Sequence, residues 1–276
     1  MQLLSASWLA PLGALMTAGL FAGFTAGLFG VGGGFVVVPA LLLVLPLLGG
    51  LKAEYVHCAI GTSAATIIFT SIRSLTSHAK RGAVEFEVLK TWAPWLILGD
   101  IVGVVLAGHV DAEALTLIFA SGVGLMSLNF LIPHLNSKVI GHQMPTGLLR
   151  AGIAGGLGGF SSLLGIGGGV IAIMVMTLNG RSIQRAIATA SGIGTLIAVP
   201  SAIGFAIIGF GKPGLPWGSL GYVNLPALAV ISSMSLLTAP WGVHAAHTLP
   251  ARRLKIVFGL YLVVISFFMF KNALKL

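Results

Sequence analysis

The sequence predicts an all-α polytopic membrane protein built from two inverted repeats of about five segments each. Three observations predict it: the composition, a series of long apolar runs, and a glycine cluster that occurs twice. Of 276 residues, 57% are hydrophobic and only 8% are charged, against about 25% charged in soluble domains. A mean hydropathy of +1.04 leaves too little polar surface to face water. This argues against a soluble enzyme, a disordered chain, a coiled coil or a nucleic-acid binder. The net charge of +9 does not restore the nucleic-acid reading, because the basic residues sit in separate short loops. Gly accounts for 39 residues, about twice average usage, which suits close helix packing and broken helices in a bilayer. The single cysteine, Cys58, has no partner for an internal disulfide.

A spanning helix needs about 20 apolar residues. The first candidate, residues 7–29, is an apolar run without a charge. Gly30-Val-Gly-Gly-Gly34 interrupts it, and residues 35–48 follow as an apolar segment only about 21 Å long as a helix. Full-length candidates resume at 55–75, 91–109 and 113–132. A polar stretch, 133–147, precedes the next candidate at 148–164. Gly165-Ile-Gly-Gly-Gly169 then introduces residues 170–179, about 15 Å as a helix. Residues 185–210, 225–249 and 253–270 complete the set. Each glycine cluster is expected to break a helix and start a half-helix, since the hydrocarbon core is about 30 Å thick.

The clusters belong to an internal repeat. They lie 135 residues apart; Ala59-Ile-Gly-Thr62 resembles Ala186-Ile-Ala-Thr189; and Gly103, Ala107, Leu115 and Phe119 match Gly242, Ala246, Leu254 and Phe258. The order is kept while the offset drifts by a few residues. The expected organisation is a first repeat over 1–132, a cytoplasmic linker over 133–147 and a second repeat over 148–276.

Five segments is an odd number, so the second repeat should be inverted. Loop charge tests this independently. With Lys80 and Arg81 placed inside, alternation also puts Arg73, Lys90, Lys138, Arg150, Arg181, Arg185, Arg252, Arg253 and Lys255 inside. Only Lys52, Lys212, Lys271 and Lys275 fall outside. The acidic turn Asp111-Ala-Glu113 is then outside, and its counterpart Ala251-Arg-Arg253 is inside. Equivalent loops of opposite charge are what inversion requires. Both termini are expected outside. Residues 1–7 carry no Lys or Arg, which argues for a retained first helix over a cleaved signal.

Backbone that leaves helical pairing inside lipid must find partners in protein, water or ligand. The first amides of each short helix lack intrahelical acceptors and carry roughly half a positive charge. Two such ends make an anion site without a buried cation. The residues placed there are Gly32, Gly33, Gly34 and Phe35 with Gly167, Gly168, Gly169 and Val170. Glycine permits positive φ and lets a ligand approach the backbone. The competing reading is that these glycines only allow close helix crossing, as Gly23-x-x-x-Gly27 and Gly99-x-x-x-Gly103 would. As a nucleotide motif the cluster fails, because no strand precedes it.

Gly27-Leu-Phe-Gly-Val-Gly-Gly-Gly-Phe-Val-Val-Val-Pro39, echoed by Gly165-Ile-Gly-Gly-Gly169, resembles the TauE/SafE sulfite-exporter family, also called the toluene-sulfonate uptake permeases. The resemblance covers nearly the whole chain. It implies a bacterial plasma-membrane carrier for sulfite, sulfonates or related organosulfur anions such as sulfoacetate. The second cluster lacks the downstream Pro of the first, with Ile173 and Met174 near its place, so the two half-sites differ chemically.

Thr62, Ser63, Thr189 and Ser191 are hydroxyl residues that could finish the site; the bland alternative is bonding to their own helices. Ser161 and Ser162 stand just before the second cluster. Asp100 is the only acid well inside a span. It is a candidate for binding a coupling proton, or a polar contact beside Gly99 and Gly103. Arg73 and Arg185 read first as headgroup anchors and second as anion attractors. His244 and His247 share a helix face but lack a third metal ligand. His57 and Cys58 read as structural.

The sequence therefore points to a secondary transporter of small oxyanions, with no cofactor, metal or nucleic-acid partner. Its partners are the anion and the bilayer, and the oligomeric state stays open, a homodimer included. A passive anion channel is the alternative, since pores also use helix dipoles. An intramembrane enzyme would need a catalytic constellation that one acid, scattered histidines and a lone cysteine do not supply.

Overall fold

The computed structural model describes residues 6–132, 141, 143–248 and 250–273. Among them run ten α-helices: α1 (Ala6–Phe29), α2 (Gly34–Val44), α3 (Tyr55–Ala79), α4 (Phe86–Ala107), α5 (Ala112–Leu131), α6 (Gly147–Leu164), α7 (Gly169–Leu178), α8 (Ile183–Ile208), α9 (Leu225–Thr248) and α10 (Ala251–Ala273). Short 3₁₀ turns at Leu45–Leu48 and Lys52–Glu54 join α2 to α3. The only strands among the described residues form a hairpin, β1 (Ser219–Leu220) with β2 (Val223–Asn224), just before α9. The expected linker over 133–147 falls largely outside the described residues.

The helical membrane class holds. Among the described residues, five helices are long and apolar enough to cross a membrane: Leu9–Phe29, Lys52–Ala79, Phe86–Ala107, Ile183–Ile208 and Leu225–Thr248. The two half-helices, α2 and α7, are shorter apolar helices. The eight full-length spans expected all appear as helices, α5 with 20 residues and α10 with 23 among them, and α6 is glycine-rich with Arg150 in its first turn. α4 starts at Phe86 and not near 91, because Glu87 and Lys90 lie exposed on its first turn and do not end it.

The surface is apolar where a soluble protein would be polar. Phe21, Leu237, Trp241, Ile207 and Phe267 are all more than half exposed. In water each would forgo about 1.5–3 kcal/mol of burial; against hydrocarbon none is lost. The interior buries Ser and Thr among large and small apolar residues alike, Trp92, Phe35 and Ala22 for example.

The packing partners are exchanged between the first five helices and the last five. α1 lies along α9, and α6 lies along α4. α3 also packs on α9 and α8 on α4, while α3 meets α8 and α5 meets α10. Glycine makes the two long crossings close. A Cβ on Gly27 would strike the Ala239 carbonyl in α9, and one on Gly99 would strike the Gly155 carbonyl in α6. Gly242 and Gly103 lie likewise against the Phe24 carbonyl of α1 and the Gly159 carbonyl of α6. Between apolar helices in lipid, such backbone contact is the main source of attraction.

Candidate functional site

α1 stops at Phe29 and α2 starts at Gly34; α6 stops at Leu164 and α7 starts at Gly169. Both interruptions fall on the glycine clusters. The backbone is left-handed at the same three places in each: Gly30 (φ 64°), Gly32 (72°) and Gly33 (85°), then Gly165 (62°), Gly167 (32°) and Gly168 (66°). A Cβ is strained in that region, which is why glycine recurs there. The Gly168 amide donates to the Ile166 carbonyl and tightens the second break.

The two breaks cross one another. A Cβ on Gly34 would run into the Gly165 carbonyl, and a Cβ on Gly169 into the Gly30 carbonyl. Each half-helix thus begins against the other break. Their surroundings also exchange: Gly30 abuts Ile187 of α8, and Gly165 abuts Ile60 of α3. Residues 32–35 and 167–170 are all buried, so this arrangement is closed to solvent.

Donors and acceptors are distributed unequally here. The carbonyl ends of α1 and α6 are served by the chain. The Ala26 carbonyl accepts from the Gly30 amide and the Ser74 hydroxyl, and Gly27 accepts from His78 Nε2 at 3.1 Å. Gly32 accepts from Thr70 Oγ1 and Gly165 from Ser63 Oγ, both at 2.8 Å. Among the described residues no backbone acceptor takes the N–H of Gly33, Gly34, Gly169 or Val170. A buried crossing where helix amides lack backbone acceptors favours a negative guest.

The four hydroxyls singled out from the sequence are all buried, and each has a partner within the chain. Thr62 Oγ1 accepts the Asn224 amide at 2.8 Å, and Thr189 Oγ1 accepts the Glu85 amide at 3.0 Å. Ser63 donates to the Gly165 carbonyl. Ser191 and Ser74 share a hydrogen bond at 3.0 Å. Ser162 donates to the Asp100 and Gly159 carbonyls. Two other hydroxyls against the breaks have no partner: Ser71 Oγ and Ser161 Oγ. Ser161 was flagged by its place in the sequence. Ser71 carries no sequence signal, since a serine on a helix looks alike on every face.

Asp100 is the only fully buried acid among the described residues. It sits where α4 meets α6 and α8. Its Oδ1 accepts from Ser201 Oγ at 2.5 Å, and its Oδ2 has no partner.

Toward the end of α3 that carries Lys80 and Arg81, His78 joins three helices. Its Nε2–H donates to the Gly27 carbonyl, so its Nδ1 accepts from His247 Nε2 at 3.2 Å. His244 faces Arg81 at 3.4 Å. The described residues contain no group of His, Cys, Asp and Glu able to hold a metal. Arg73 and Arg185 are exposed. At the other end, the hairpin residue Tyr222 donates to Glu54 Oε2 at 2.6 Å, with His57 stacked on its ring and Lys212 above it. Burial, then the Glu54 carboxylate, pushes the Tyr222 phenol well above its ordinary pKa, so it stays a donor.

The model of the family described as sulfite exporter TauE/SafE matches residues 15–269. A probable membrane transporter protein of Haemophilus influenzae is 34% identical over 91% of this chain and 95% of its own. A probable membrane transporter protein of Methanocaldococcus jannaschii is 24% identical over 92% and 94%. The probable membrane transporter protein YunE of Bacillus subtilis is 27% identical over 59% and 66%. No solved structure matches the chain. With a family model spanning nearly all of it and a relative of this similarity, the chain belongs to the TauE/SafE sulfite exporter family of multi-pass membrane proteins.

Proposed function

We propose that the protein is a secondary carrier of small sulfur-containing oxyanions, of the sulfite, sulfonate or sulfoacetate type, which works by alternating access. The observation that carries the reading is the buried crossing of the two glycine breaks, where the amides of Gly33, Gly34, Gly169 and Val170 meet no backbone acceptor among the described residues. The anion lies at the amide ends of α2 and α7, against residues 32–35 and 167–170. Thr62, Ser63, Thr189 and Ser191 brace the walls through their bonds to neighbouring backbone and side chains. The exchanged packing supports two repeats of inverted sense that rock about the crossing.

Asp100 supplies a proton-coupling site on one side only, since the matching position in the second repeat is Ala239. The unpartnered Oδ2 supports that role. The chain sits in a bacterial inner membrane with both termini outside, following the Lys and Arg distribution.

Reconstitution into proteoliposomes tests this. Saturable, pH-gradient-dependent movement of sulfite, methanesulfonate or sulfoacetate is expected. Anion current without saturation or accumulation would mark a passive pore instead. Movement of a cation with no anion would overturn the reading.

A further inference from the structure

An anion held at the crossing needs a route to it, and α3 supplies a wall for one. Of the five long apolar helices, α3 is the most deeply buried. Its interior face is nonetheless polar: Thr66, Thr70, Ser74 and His78 recur at every fourth residue, each fully buried. That spacing stacks them on one side of the helix, turn above turn. The last three reach the carbonyl end of α1 and its break. Thr70 Oγ1 donates to the Gly32 carbonyl at 2.8 Å, Ser74 Oγ to Ala26 at 3.3 Å and His78 Nε2 to Gly27 at 3.1 Å.

These bonds close α3 onto α1 between the crossing and the end that carries Arg81. The carbonyl end of a helix bears roughly half a negative charge and repels a passing anion; donors held against it mask that charge. Hydroxyl and ring N–H donors are also what an oxyanion's oxygens accept from. One donor here is already free. Ser71 Oγ, one turn before Ser74, is about 1% exposed and has no hydrogen-bond partner. It lies 3.1 Å from where a Gly32 Cβ would stand and 2.8 Å from that of Gly194, so it sits between the first break and α8. An unpaired buried hydroxyl costs about 1–3 kcal/mol, and a guest that passes it gives it a partner. Beyond His78, Arg81 is exposed, with His244 3.4 Å away.

We propose that the face of α3 bearing Thr70, Ser71, Ser74 and His78 lines the anion's path between the crossing and the Arg81 end. When that end opens, the donors leave the α1 carbonyls and turn to the anion's oxygens, so the anion is handed along α3 as the closure parts. This rests on the carrier reading above and adds the route to it.

Full-length protein in proteoliposomes tests the route. Cys58→Ala removes the sole cysteine, and Ser71→Cys and Ser74→Cys, close in size to the originals, are each placed in that background. The probe is 2-sulfonatoethyl methanethiosulfonate, a water-soluble thiol reagent that is itself a sulfonate. Both thiols should react, and methanesulfonate at about ten times its KM should slow them roughly tenfold by occupancy. Ile72→Cys is the control. Ile72 is 44% exposed on the lipid-facing side of α3. Hydrocarbon keeps a thiol protonated there, so it should react about tenfold more slowly and without protection. Methanesulfonate uptake is measured on the same vesicles. Uptake with thiols that react no faster than that of Ile72→Cys, or equally fast with and without methanesulfonate, overturns the route alone. Two positions are read, so a variant that fails to reconstitute leaves the other to decide. No methanesulfonate uptake by the wild type overturns the carrier reading, and the anion's route with it.

Discussion

Thr62 in α3 accepts the backbone N–H of Asn224, 162 residues away, and so ties α3 to the start of α9. Thr189 in α8 does the same for Glu85 at the start of α4. Both ties hold the backbone just ahead of a long helix, α9 in one case and α4 in the other. Each amide is held by a side chain because it precedes a helix and lacks a ladder partner. Thr62→Val should therefore lower stability by about 1–3 kcal/mol, whereas Thr62→Ser keeps the oxygen and should cost under about 1 kcal/mol. Thermal unfolding in detergent reads the difference, and equal melting temperatures for the two variants would refute the tie.

Those ties also show what a sequence can and cannot convey. The breaks at Gly30 and Gly165 were legible because a left-handed backbone leaves a compositional mark: only glycine fits cheaply. The half-helices were legible because 11 and 10 residues are too few to span hydrocarbon. The role of Thr62 was not, because its partner is a backbone amide, and an amide has no letter of its own. The pairing of His78 with His247 was hidden by the 169 residues between them. The hairpin before α9 is two residues per strand, too short to show alternation.

Gly34 and Gly169 are expected to tolerate no side chain. Alanine at either would place a methyl group inside the other break's carbonyl, at Gly165 or Gly30. Neither carbonyl can withdraw without moving its own break, so overpacking of about 1–3 kcal/mol or more is expected at both sites. Gly152→Ala is the control: it lies in α6 with open space around it, and alanine there should be neutral or stabilising by up to about 1 kcal/mol. Melting curves of the three variants decide it; an unperturbed Gly34→Ala would mean the breaks do not touch.

Asp100 and Ser201 form a buried unit in which the serine hydroxyl satisfies one carboxyl oxygen and leaves the other open. If that open oxygen takes up the coupling proton, Asp100→Asn mimics the protonated form permanently. Methanesulfonate binding should persist, and the dependence of uptake on a pH gradient should vanish. Ser201→Ala should retain the dependence with a shifted midpoint, since the carboxylate loses its donor. Asp100→Asn vesicles that still respond to the pH gradient would assign the residue to helix packing alone.

Cys58 offers a built-in reporter of the end where Tyr222 meets Glu54. It is the chain's sole cysteine and is fully buried in α3, one residue from His57, whose ring stacks on Tyr222 at 5.0 Å. The Tyr222 hydroxyl clasps the Glu54 carboxylate at 2.6 Å and holds the hairpin over the start of α3. Tyr222→Phe keeps the ring and its stacking but removes that clasp. A hydrogen bond to a charged group is worth about 1.5–3 kcal/mol, so transient opening of this end should become roughly tenfold more frequent or beyond. Labelling of Cys58 by a maleimide applied to detergent-solubilised protein should accelerate accordingly. Glu85→Gln breaks the ion pair with Arg181, 3.0 Å long, at the opposite end, and should not accelerate it. A clasp that gates its own end predicts this asymmetry; equal acceleration in both variants would mean that Cys58 senses general loosening and that Tyr222 holds no gate.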